Sequence, residues 1–291
     1  MKICNDCPRK CGAIRTEKEG NGFCGVGTLP IVAKASIHHW EEPCISGVSG
    51  SGTIFFSSCN LKCVFCQNEA ISFKKKGKML SVDELISLYQ ELEGKGACNI
   101  NLVTAGHFTD AIVESLSRYQ PSVPVLYNSS GFEEVKTLER FSGLVDVYLP
   151  DLKYIDPRKA KRYANAENYF EVASAAIEEM VRQTGKPSFN EDGLIERGTI
   201  VRHLILPENT NDAIRILDWL QEQFGDTILV SVMGQYVPCG KARQFRELSR
   251  KITKREYQKV EEHLYSLKLD GFVQQLSSAN ECFIPNFDQF Q

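Results

Sequence analysis

From about residue 50 onward, the apolar positions of the chain alternate between two periods. Short apolar runs predict strands, and longer stretches with apolar residues three and four apart predict the helices between them. The six predicted strands are 53–56, 99–104, 123–127, 145–149, 199–206 and 227–233. The predicted helices are one that begins after Ser81 and those over 109–119, 132–141, 157–183 (with a break near Asn165), 209–224 and 253–267. Ser81 and Glu84 have the spacing of a capping box at the first of these helices.

Six strands that alternate with helices favour parallel pairing through helical crossovers, and therefore an α/β fold. This pattern alone allows either a doubly wound sheet or a barrel. In both architectures, functional side chains gather at the carboxyl ends of the strands. The polar segments that follow the predicted strands are therefore the first places to look for a site.

Residues 1–45 show little periodicity and form a Cys-rich segment ahead of the core at 46–291. Cys4, Cys7, Cys11 and Cys24 follow the spacing C-x2-C-x3-C-x12-C. Four thiolates complete either a structural zinc site or an iron–sulfur cluster. The spacing does not separate these two from a segment without metal. Cys44, Cys98, Cys239 and Cys282 have no partner at motif spacing, and we expect them to be small buried side chains.

Bulk properties exclude several classes of protein. The chain has 291 residues, 42 % of them apolar, which is enough for one large domain with a small appendage. The net charge of −3 argues against a general surface for nucleic acid or anionic membranes. No apolar run is long enough to cross a bilayer, and the first residues lack the apolar core of a signal peptide. Eleven cysteines in such a chain indicate metal binding in the cytoplasm rather than disulfides.

Cys59, Cys63 and Cys66 have the spacing C-x3-C-x2-C directly after the first predicted strand. Three thiolates can hold three corners of a [4Fe–4S] cube and leave the fourth iron open to another ligand. A structural zinc site requires four ligands, but the next Cys and His are distant, at Cys98 and His107. The triplet therefore predicts a reactive cluster.

The segment from Gly50 to Asn68, with Phe65 before the third cysteine, resembles the signature of the radical S-adenosylmethionine (radical SAM) enzymes, and in particular the branch related to the pyruvate formate-lyase-activating enzyme. The resemblance covers about residues 38–257. It implies a partial (β/α)6 barrel with a C-terminal helical extension. It also implies a [4Fe–4S] cluster and S-adenosylmethionine (SAM) as cofactors, and an oxidoreductase that cleaves SAM reductively so that a radical can abstract hydrogen.

Cofactor contacts are expected where polar residues meet the ends of the strands. Asn128 and Ser129 follow the third strand, an Asp-Leu-Lys segment that resembles one in glycyl-radical activases follows the fourth, and Arg202 lies in the fifth. The expected cofactor-binding residues are Phe65, Asn128, Ser129, Asp151, Lys153 and Arg202.

Other polar positions have two interpretations each. After the second strand the chain has Gly106-His107 without the Glu of the common Gly-Gly-Glu-Pro-like motif, so His107 is either a substitute ligand or a polar residue at a helix start. His203 is either a ligand or a core histidine. After the sixth strand, Gln235 and Tyr236 are candidates to face the substrate, with packing as the alternative for Tyr236. The segment 38–43 is interpreted as a structural loop entry.

Three functions are compatible with these features of the sequence. The first is a glycyl-radical-enzyme activase that abstracts hydrogen from a protein glycine, with a glycyl-radical enzyme and a flavodoxin- or ferredoxin-type reductant as partners. The second is a radical SAM enzyme that acts on a small molecule or another peptide. The third is a non-catalytic iron–sulfur binding or electron-transfer protein.

Overall fold

The computed structural model describes residues 2–274, 276 and 287, and Cys282 lies outside them. The strands are Lys2–Cys4 (β1), Ala13–Arg15 (β2), Ile31–His38 (β3), Ser51–Phe56 (β4), Lys78–Met79 (β5), Ile100–Val103 (β6), Val125–Ser129 (β7), Val147–Pro150 (β8), Ser188–Phe189 (β9), Ile195–Leu204 (β10), Leu229–Met233 (β11) and Gly271–Val273 (β12). The helices are Pro43–Ser46 (α1), Glu69–Ser72 (α2), Val82–Gly94 (α3), Thr109–Arg118 (α4), Val135–Leu138 (α5), Pro157–Ala164 (α6), Tyr169–Thr184 (α7), Thr210–Gln223 (α8) and Lys254–Ser266 (α9). Within this described part, none of the helices has the length and apolar composition that a bilayer crossing requires.

The six predicted strands form the centre of the main sheet. They are β4, β6, β7, β8, β10 and β11, and they lie side by side in chain order with parallel pairing. This arrangement is a partial (β/α)6 barrel, and it confirms the predicted α/β class. Helix α3 begins with the expected capping box, in which the Glu84 backbone N–H donates to Ser81 Oγ over 3.2 Å. The predicted break at Asn165 separates α6 from α7, since Asn165 adopts a left-handed conformation.

Four strands that the apolar periodicity does not predict extend the sheet beyond the six, and they are β3, β5, β9 and β12. Strand β3 comes from the Cys-rich segment and pairs antiparallel with β4, with His38 opposite Ser51. Strand β12 follows α9 and pairs parallel with β11, so the expected helical extension also contributes a strand. Lys34 interrupts the apolar run of β3, and the three residues of β12 are too few to show a period.

Apolar side chains close the amino ends of the barrel strands. Ile45 of α1 is fully buried and packs among inward-facing side chains of β7, β8 and β10, which are Leu126, Val147, Leu149, Ile195 and Ile200. The Asn99 side chain, just before β6, donates to the Ile45 carbonyl oxygen over 2.7 Å. Helix α1 therefore seals one end of the barrel, and the site lies toward the other.

The Cys-rich segment is fastened to residues 57–68, which we call the cysteine loop. Ser58 Oγ donates to the Cys24 carbonyl oxygen over 2.5 Å, and Lys62 Nζ donates to the Phe23 carbonyl oxygen over 2.6 Å. Arg9 donates to the carbonyl oxygen of Asn60 over 2.8 Å. The segment is thus part of the support of the loop and not a free appendage.

Candidate functional site

A cavity of about 400 Å³ lies at the carboxyl ends of the barrel strands. The structure brings the three cysteines of the triplet and all six expected cofactor-binding residues to its wall: Cys59, Cys63, Cys66, Phe65, Asn128, Ser129, Asp151, Lys153 and Arg202. These residues come from separate places in the chain. Their convergence follows from the parallel order of the strands, because parallel strands end at the same edge.

The cysteine loop follows β4 and presents its thiols to the cavity. Ser58 and Lys62 have positive φ angles of 73° and 53°, a strained conformation for residues other than glycine that is common at functional loops. The Leu61 backbone N–H donates to Cys59 Sγ over 3.3 Å. Cys66 Sγ lies 3.2 Å from Ser72 Oγ. The loop therefore already supplies polar partners for sulfur ligands.

Burial raises the pKa of the triplet thiols. The pKa of Cys63 rises to about 12 although the Lys153 ammonium acts in the opposite direction, and the pKa of Cys66 rises to about 11. Thiols with these values are neutral at physiological pH. Ligation of a metal centre by this loop must therefore release protons, since thiolates are the ligands.

In the part of the chain that the structure describes, no three His, Cys, Asp or Glu side chains converge on the position of a single metal ion. A [4Fe–4S] cube does not require such convergence, because each thiolate binds a different iron. Among the N-terminal thiols, Cys4 is buried and accepts from Arg15 Nη1 over 3.6 Å, and Cys11 is exposed. Metal binding by Cys4, Cys7, Cys11 and Cys24 stays a prediction.

Arg202 lies at the centre of a charged group inside the cavity, and we call Glu41, Asn128, Asp151, Lys153 and Arg202 the Arg202 network. Arg202 Nη2 donates to Asn128 Oδ1 over 2.6 Å. Its Nη1 donates to Glu41 Oε2 over 3.3 Å, and its Nε lies 3.3 Å from Asp151 Oδ1. Lys153 forms an ion pair with the same aspartate.

The charges of the Arg202 network alter one another. Burial alone would raise the pKa of Asp151, but Lys153 and Arg202 lower it on balance. Burial alone would lower the pKa of Arg202, but Asp151, Glu42 and Glu41 raise it on balance. Both residues are therefore charged at neutral pH, and the two cations are available to bind an anionic ligand group.

Glu41 belongs to the network although its segment, 38–43, reads in sequence as a structural loop entry. It lines the cavity together with His38 and Trp40, so the interpretation of this segment as purely structural is wrong. Burial raises the pKa of Glu41 to about 7, and the Arg202 guanidinium acts in the opposite direction. The available signal in the sequence for a functional role of Glu41 is the acidic pair Glu41-Glu42 shortly after β3. It is informative only if β3 is recognised as a strand.

Of the four residues with two interpretations, His107, His203 and Tyr236 lie outside the cavity wall, and Gln235 lines the cavity. His107 is buried outside the cavity wall, its Nε2 lies 2.8 Å from the Ser57 carbonyl oxygen, and burial lowers its pKa to about 4. His203 is buried with Nδ1 2.7 Å from the Leu152 carbonyl oxygen. The Tyr236 hydroxyl is also buried and donates to a backbone carbonyl. Gln235 does line the cavity.

The remaining single cysteines differ from one another. Cys44 is buried, as expected, whereas Cys98 and Cys239 are half-buried. Cys98 Sγ lies 3.0 Å from the carbonyl oxygen of Ile45. All ten cysteines of the described residues are free thiols.

A family model described as the radical SAM superfamily matches residues 53–220, which is more than half of the 291-residue chain. The chain belongs to the radical SAM superfamily. The matched span begins in β4, contains the cysteine loop and the Arg202 network apart from Glu41, and ends in α8. Membership supports an enzyme that cleaves SAM by radical chemistry.

Individual relatives are more distant. An uncharacterised protein of Methanocaldococcus jannaschii is 28 % identical over 281 residues, which cover 93 % of this chain and 76 % of that protein. Methylornithine synthase is similar in structure with a TM-score of 0.51 and 14 % identity over 73 % of this chain and 61 % of its own. A radical SAM methyltransferase from Sphaerobacter thermophilus gives a TM-score of 0.49 and 13 % identity over 77 % of this chain and 66 % of its own. The chain thus spans less than two thirds of either structural relative, and the likeness to methylornithine synthase shows the fold alone.

The radical SAM fold implies a [4Fe–4S] cluster and SAM, and the residues of the cavity fit both groups. The cysteines that line the described cavity are the three thiols of one loop, which leaves one iron of a cube without a protein thiolate. A backbone N–H already donates to one of these sulfur atoms. The paired cations Lys153 and Arg202 suit the carboxylate of SAM, and Asp151 suits its ammonium or ribose groups.

Proposed function

We propose that this radical SAM enzyme abstracts hydrogen from a glycine of a partner protein, as the activating enzymes of glycyl-radical enzymes do. The observation that carries the proposal is the meeting of three thiols and a paired-cation network in one cavity. The cysteine loop and Asp151-Leu152-Lys153 resemble the activase branch, and this resemblance is the reason that we propose a protein glycine as the substrate.

Five residues of the cavity have roles in this proposal. Cys59, Cys63 and Cys66 would hold the cluster. A bound cluster, reduced by an external donor, would supply the electron for the cleavage of SAM to methionine and a 5′-deoxyadenosyl radical. Lys153 and Arg202 bind and orient the carboxylate of SAM.

The cavity opens to the surface, and this supports access by a protein substrate. A volume of about 400 Å³ lies near the lower end of the range for one drug-sized ligand, and SAM is a ligand of that size. A narrow segment of a partner chain can therefore approach from the open side. A glycine in such a segment has no side chain that the cavity would exclude. Trp40 lines the same cavity and is 65 % exposed, which suits contact with a peptide backbone.

A second candidate is a radical SAM enzyme that acts on a small charged molecule or on another kind of peptide. Glu41 favours it, because an additional ionisable carboxyl in the cavity can recognise a cationic group of such a substrate. The absence of the Gly-Gly-Glu-Pro-like Glu also leaves a place that a different substrate contact can take. A purely electron-transferring protein is disfavoured, because it has no need of the Arg202 network.

The test of the radical chemistry is production of 5′-deoxyadenosine. The protein is reconstituted anaerobically with iron and sulfide, reduced, and supplied with SAM. We expect 5′-deoxyadenosine from the native chain and from the control Cys98→Ser, and none from Cys63→Ala. Equal production by Cys63→Ala would contradict the assignment of the triplet.

The test of the substrate is transfer of the radical. A candidate glycyl-radical enzyme is mixed with the reduced, SAM-loaded protein, and electron paramagnetic resonance is used to follow a glycyl radical. A doublet that disappears when the target glycine is changed to alanine would support the activase function. SAM cleavage that a small cationic substrate stimulates, with no glycyl radical, would favour the second candidate.

We also propose that Cys4, Cys7, Cys11 and Cys24 bind a second metal centre, either zinc or an iron–sulfur cluster. Cys7 is near enough to Cys4 and Cys24 for their charges to raise its pKa further, after burial has raised it most. Arg15 is buried beside Cys4 and can offset thiolate charge.

Metal analysis distinguishes the two forms of this centre. Cys7→Ser is expected to lose either one zinc or the iron and sulfide of one cluster, while the triplet cluster is retained and Cys98→Ser loses nothing. Equal metal and sulfide contents in Cys7→Ser and the native chain would contradict a second centre.

A further inference from the structure

The guanidinium of Arg202 is shared among acceptors from three different parts of the fold. Glu41 comes from the segment after β3, Asn128 from β7, and Asp151 from the end of β8. A guanidinium has five N–H groups, and the two hydrogen bonds to Glu41 and Asn128 leave one hydrogen on each terminal nitrogen. The Nε–H lies beside Asp151 without a hydrogen bond to a described residue. A ligand carboxylate that binds there becomes the third anion around one cation.

Of the two carboxylates already beside Arg202, only Asp151 has a second cation among the described contacts. Lys153 pairs with Asp151, whereas the described contacts of Glu41 are Arg202 and the neutral Asn101 amide, whose Nδ2 donates to Glu41 Oε1 over 3.3 Å. The side chain of Glu41 is only 12 % exposed. A new anion beside Arg202 therefore destabilises ionised Glu41 more than it destabilises Asp151.

Asn101 can accept a hydrogen bond from the protonated carboxyl group of Glu41. Its Oδ1 is buried and has no hydrogen-bond partner among the described residues. Rotation of the amide by half a turn puts Oδ1 where Nδ2 lies, within reach of Glu41 Oε1. A protonated Glu41 then donates to Asn101 Oδ1, and Asn101 Nδ2 gives up its bond to Glu41, so the pair keeps one hydrogen bond in either protonation state.

We propose that Glu41 is a positioning residue that holds Arg202 until a ligand carboxylate arrives, and that ligand binding transfers one proton from solvent to Glu41. This inference rests on the proposed function, with the carboxylate of SAM as the ligand group. The charged groups that face Glu41 are Arg202 from β10, Asp151 from β8, and Glu42 beside it, with the polar Asn101 from β6.

The direction of the pH dependence follows from linkage. SAM carries an ammonium and a sulfonium as well as a carboxylate, and in this proposal the carboxylate is the group beside Arg202, whereas the ammonium is beside Asp151. The carboxylate then raises the pKa of Glu41 above its value of about 7 in the free protein. The complex then binds more protons than the free protein, so SAM binds more tightly as the pH falls through this range. Each unit by which the ligand raises the pKa corresponds to about a tenfold change in affinity between low and high pH.

The experiment is isothermal titration calorimetry of SAM binding to the full chain with its oxidised cluster, which does not turn over. Titrations at pH 6, 7 and 8 in two buffers of different ionisation enthalpy measure the protons taken up. We expect the native chain to take up a fraction of one proton at pH 7 and to bind SAM more weakly at pH 8 than at pH 6. Glu41→Gln is expected to take up none and to lose most of this pH dependence.

Two controls separate the contact from general electrostatics. Glu134→Gln removes a carboxylate that pairs with Lys10 and lies outside the Arg202 network, and it is expected to retain proton uptake. Decarboxylated SAM lacks the ligand carboxylate and is expected to bind the native chain without uptake. Far-ultraviolet circular dichroism and iron content check that each variant is folded and loaded.

Several results would overturn the inference. Binding of SAM by the native chain without proton uptake would overturn it and leave the proposed function intact, whether or not Glu41→Gln folds. Proton uptake that persists unchanged in a folded Glu41→Gln variant would assign the proton to another group. No binding of SAM at any pH would instead remove the proposed function, and this inference with it.

Discussion

Glu133 is a carboxyl group buried between the cysteine loop and the barrel, and burial raises its pKa to about 8. The neighbouring Phe132 carbonyl oxygen accepts from Asn60 of the loop over 2.8 Å. A side chain at Gly106 would begin 2.5 Å from Glu133 Oε2 and 2.7 Å from the Tyr127 hydroxyl oxygen. Glycine at position 106 therefore makes room for this buried acid and does not serve as a ligand contact itself.

Glu133 makes the fold less stable as the pH rises. In the unfolded chain the pKa of the Glu133 carboxyl group is near 4.5. The folded state raises this pKa, so the carboxyl group binds its proton more tightly there. Its destabilising effect grows from about pH 4.5 to about pH 8. Between pH 5 and pH 8 we expect the native chain to lose more stability than Glu133→Gln, with a difference on the order of 3 kcal/mol.

Thermal unfolding of the anaerobic protein at the two pH values measures this difference. Glu134→Gln is the matched control, because it removes a carboxylate from the next residue, which is partly exposed and pairs with Lys10. If the native protein, Glu133→Gln and Glu134→Gln all lose the same stability between pH 5 and pH 8, the proposed effect of Glu133 is contradicted.

At the scale of elements, Arg9 joins the Cys-rich segment to two other parts of the chain. Its guanidinium donates to backbone carbonyl oxygens of the cysteine loop and of the end of α6, including those of Leu61 and Ala164. It also lies 4.2 Å from the centre of the Phe23 ring. One side chain thus satisfies several carbonyl groups of a strained loop.

Removal of Arg9 is expected to loosen the cysteine loop. Arg9→Ala leaves those carbonyl groups without their donor, so we expect a reconstituted cluster to release its iron to a chelator several times faster than in the native chain. Arg158→Ala is the control, because Arg158 is 88 % exposed and its described contacts are all with Asp156. Equal release rates for the three proteins would exclude a supporting role.

The elements that could be predicted from the sequence are those whose signals are local and repeated. Asp151, Lys153 and Asn128 were predicted because each follows a strand of clear apolar pattern, and parallel strands bring such ends together. Glu41 was not predicted, since its position depends on an antiparallel strand that reverses the chain beside β4. His107 resembles a ligand in sequence, but the fold turns it toward the Ser57 carbonyl group.

At the scale of the whole molecule, Ile45 joins the start of the core to its later strands. It is fully buried among side chains from β7, β8 and β10, whereas Val48, three residues later, is 98 % exposed. Ile45→Ala is expected to destabilise the protein by about 2–4 kcal/mol, because it leaves a cavity in the closed end of the barrel. Val48→Ala is expected to change stability by less than about 0.5 kcal/mol.

Denaturant unfolding at matched cluster content measures both changes. A destabilisation by Ile45→Ala no greater than that by Val48→Ala would mean that α1 contributes little to the closed end.

The contacts of Arg9 also have a consequence for the order of events during synthesis. Its partners at Ala164 and Asn165 are 155 and 156 residues further along the chain. Because translation proceeds from the amino end, Arg9 emerges from the ribosome long before its partners at the end of α6 are synthesised. The thiols of the cysteine loop emerge in that interval. The nascent protein therefore passes through an interval in which the cysteine loop lacks the support that Arg9 gives it in the finished fold.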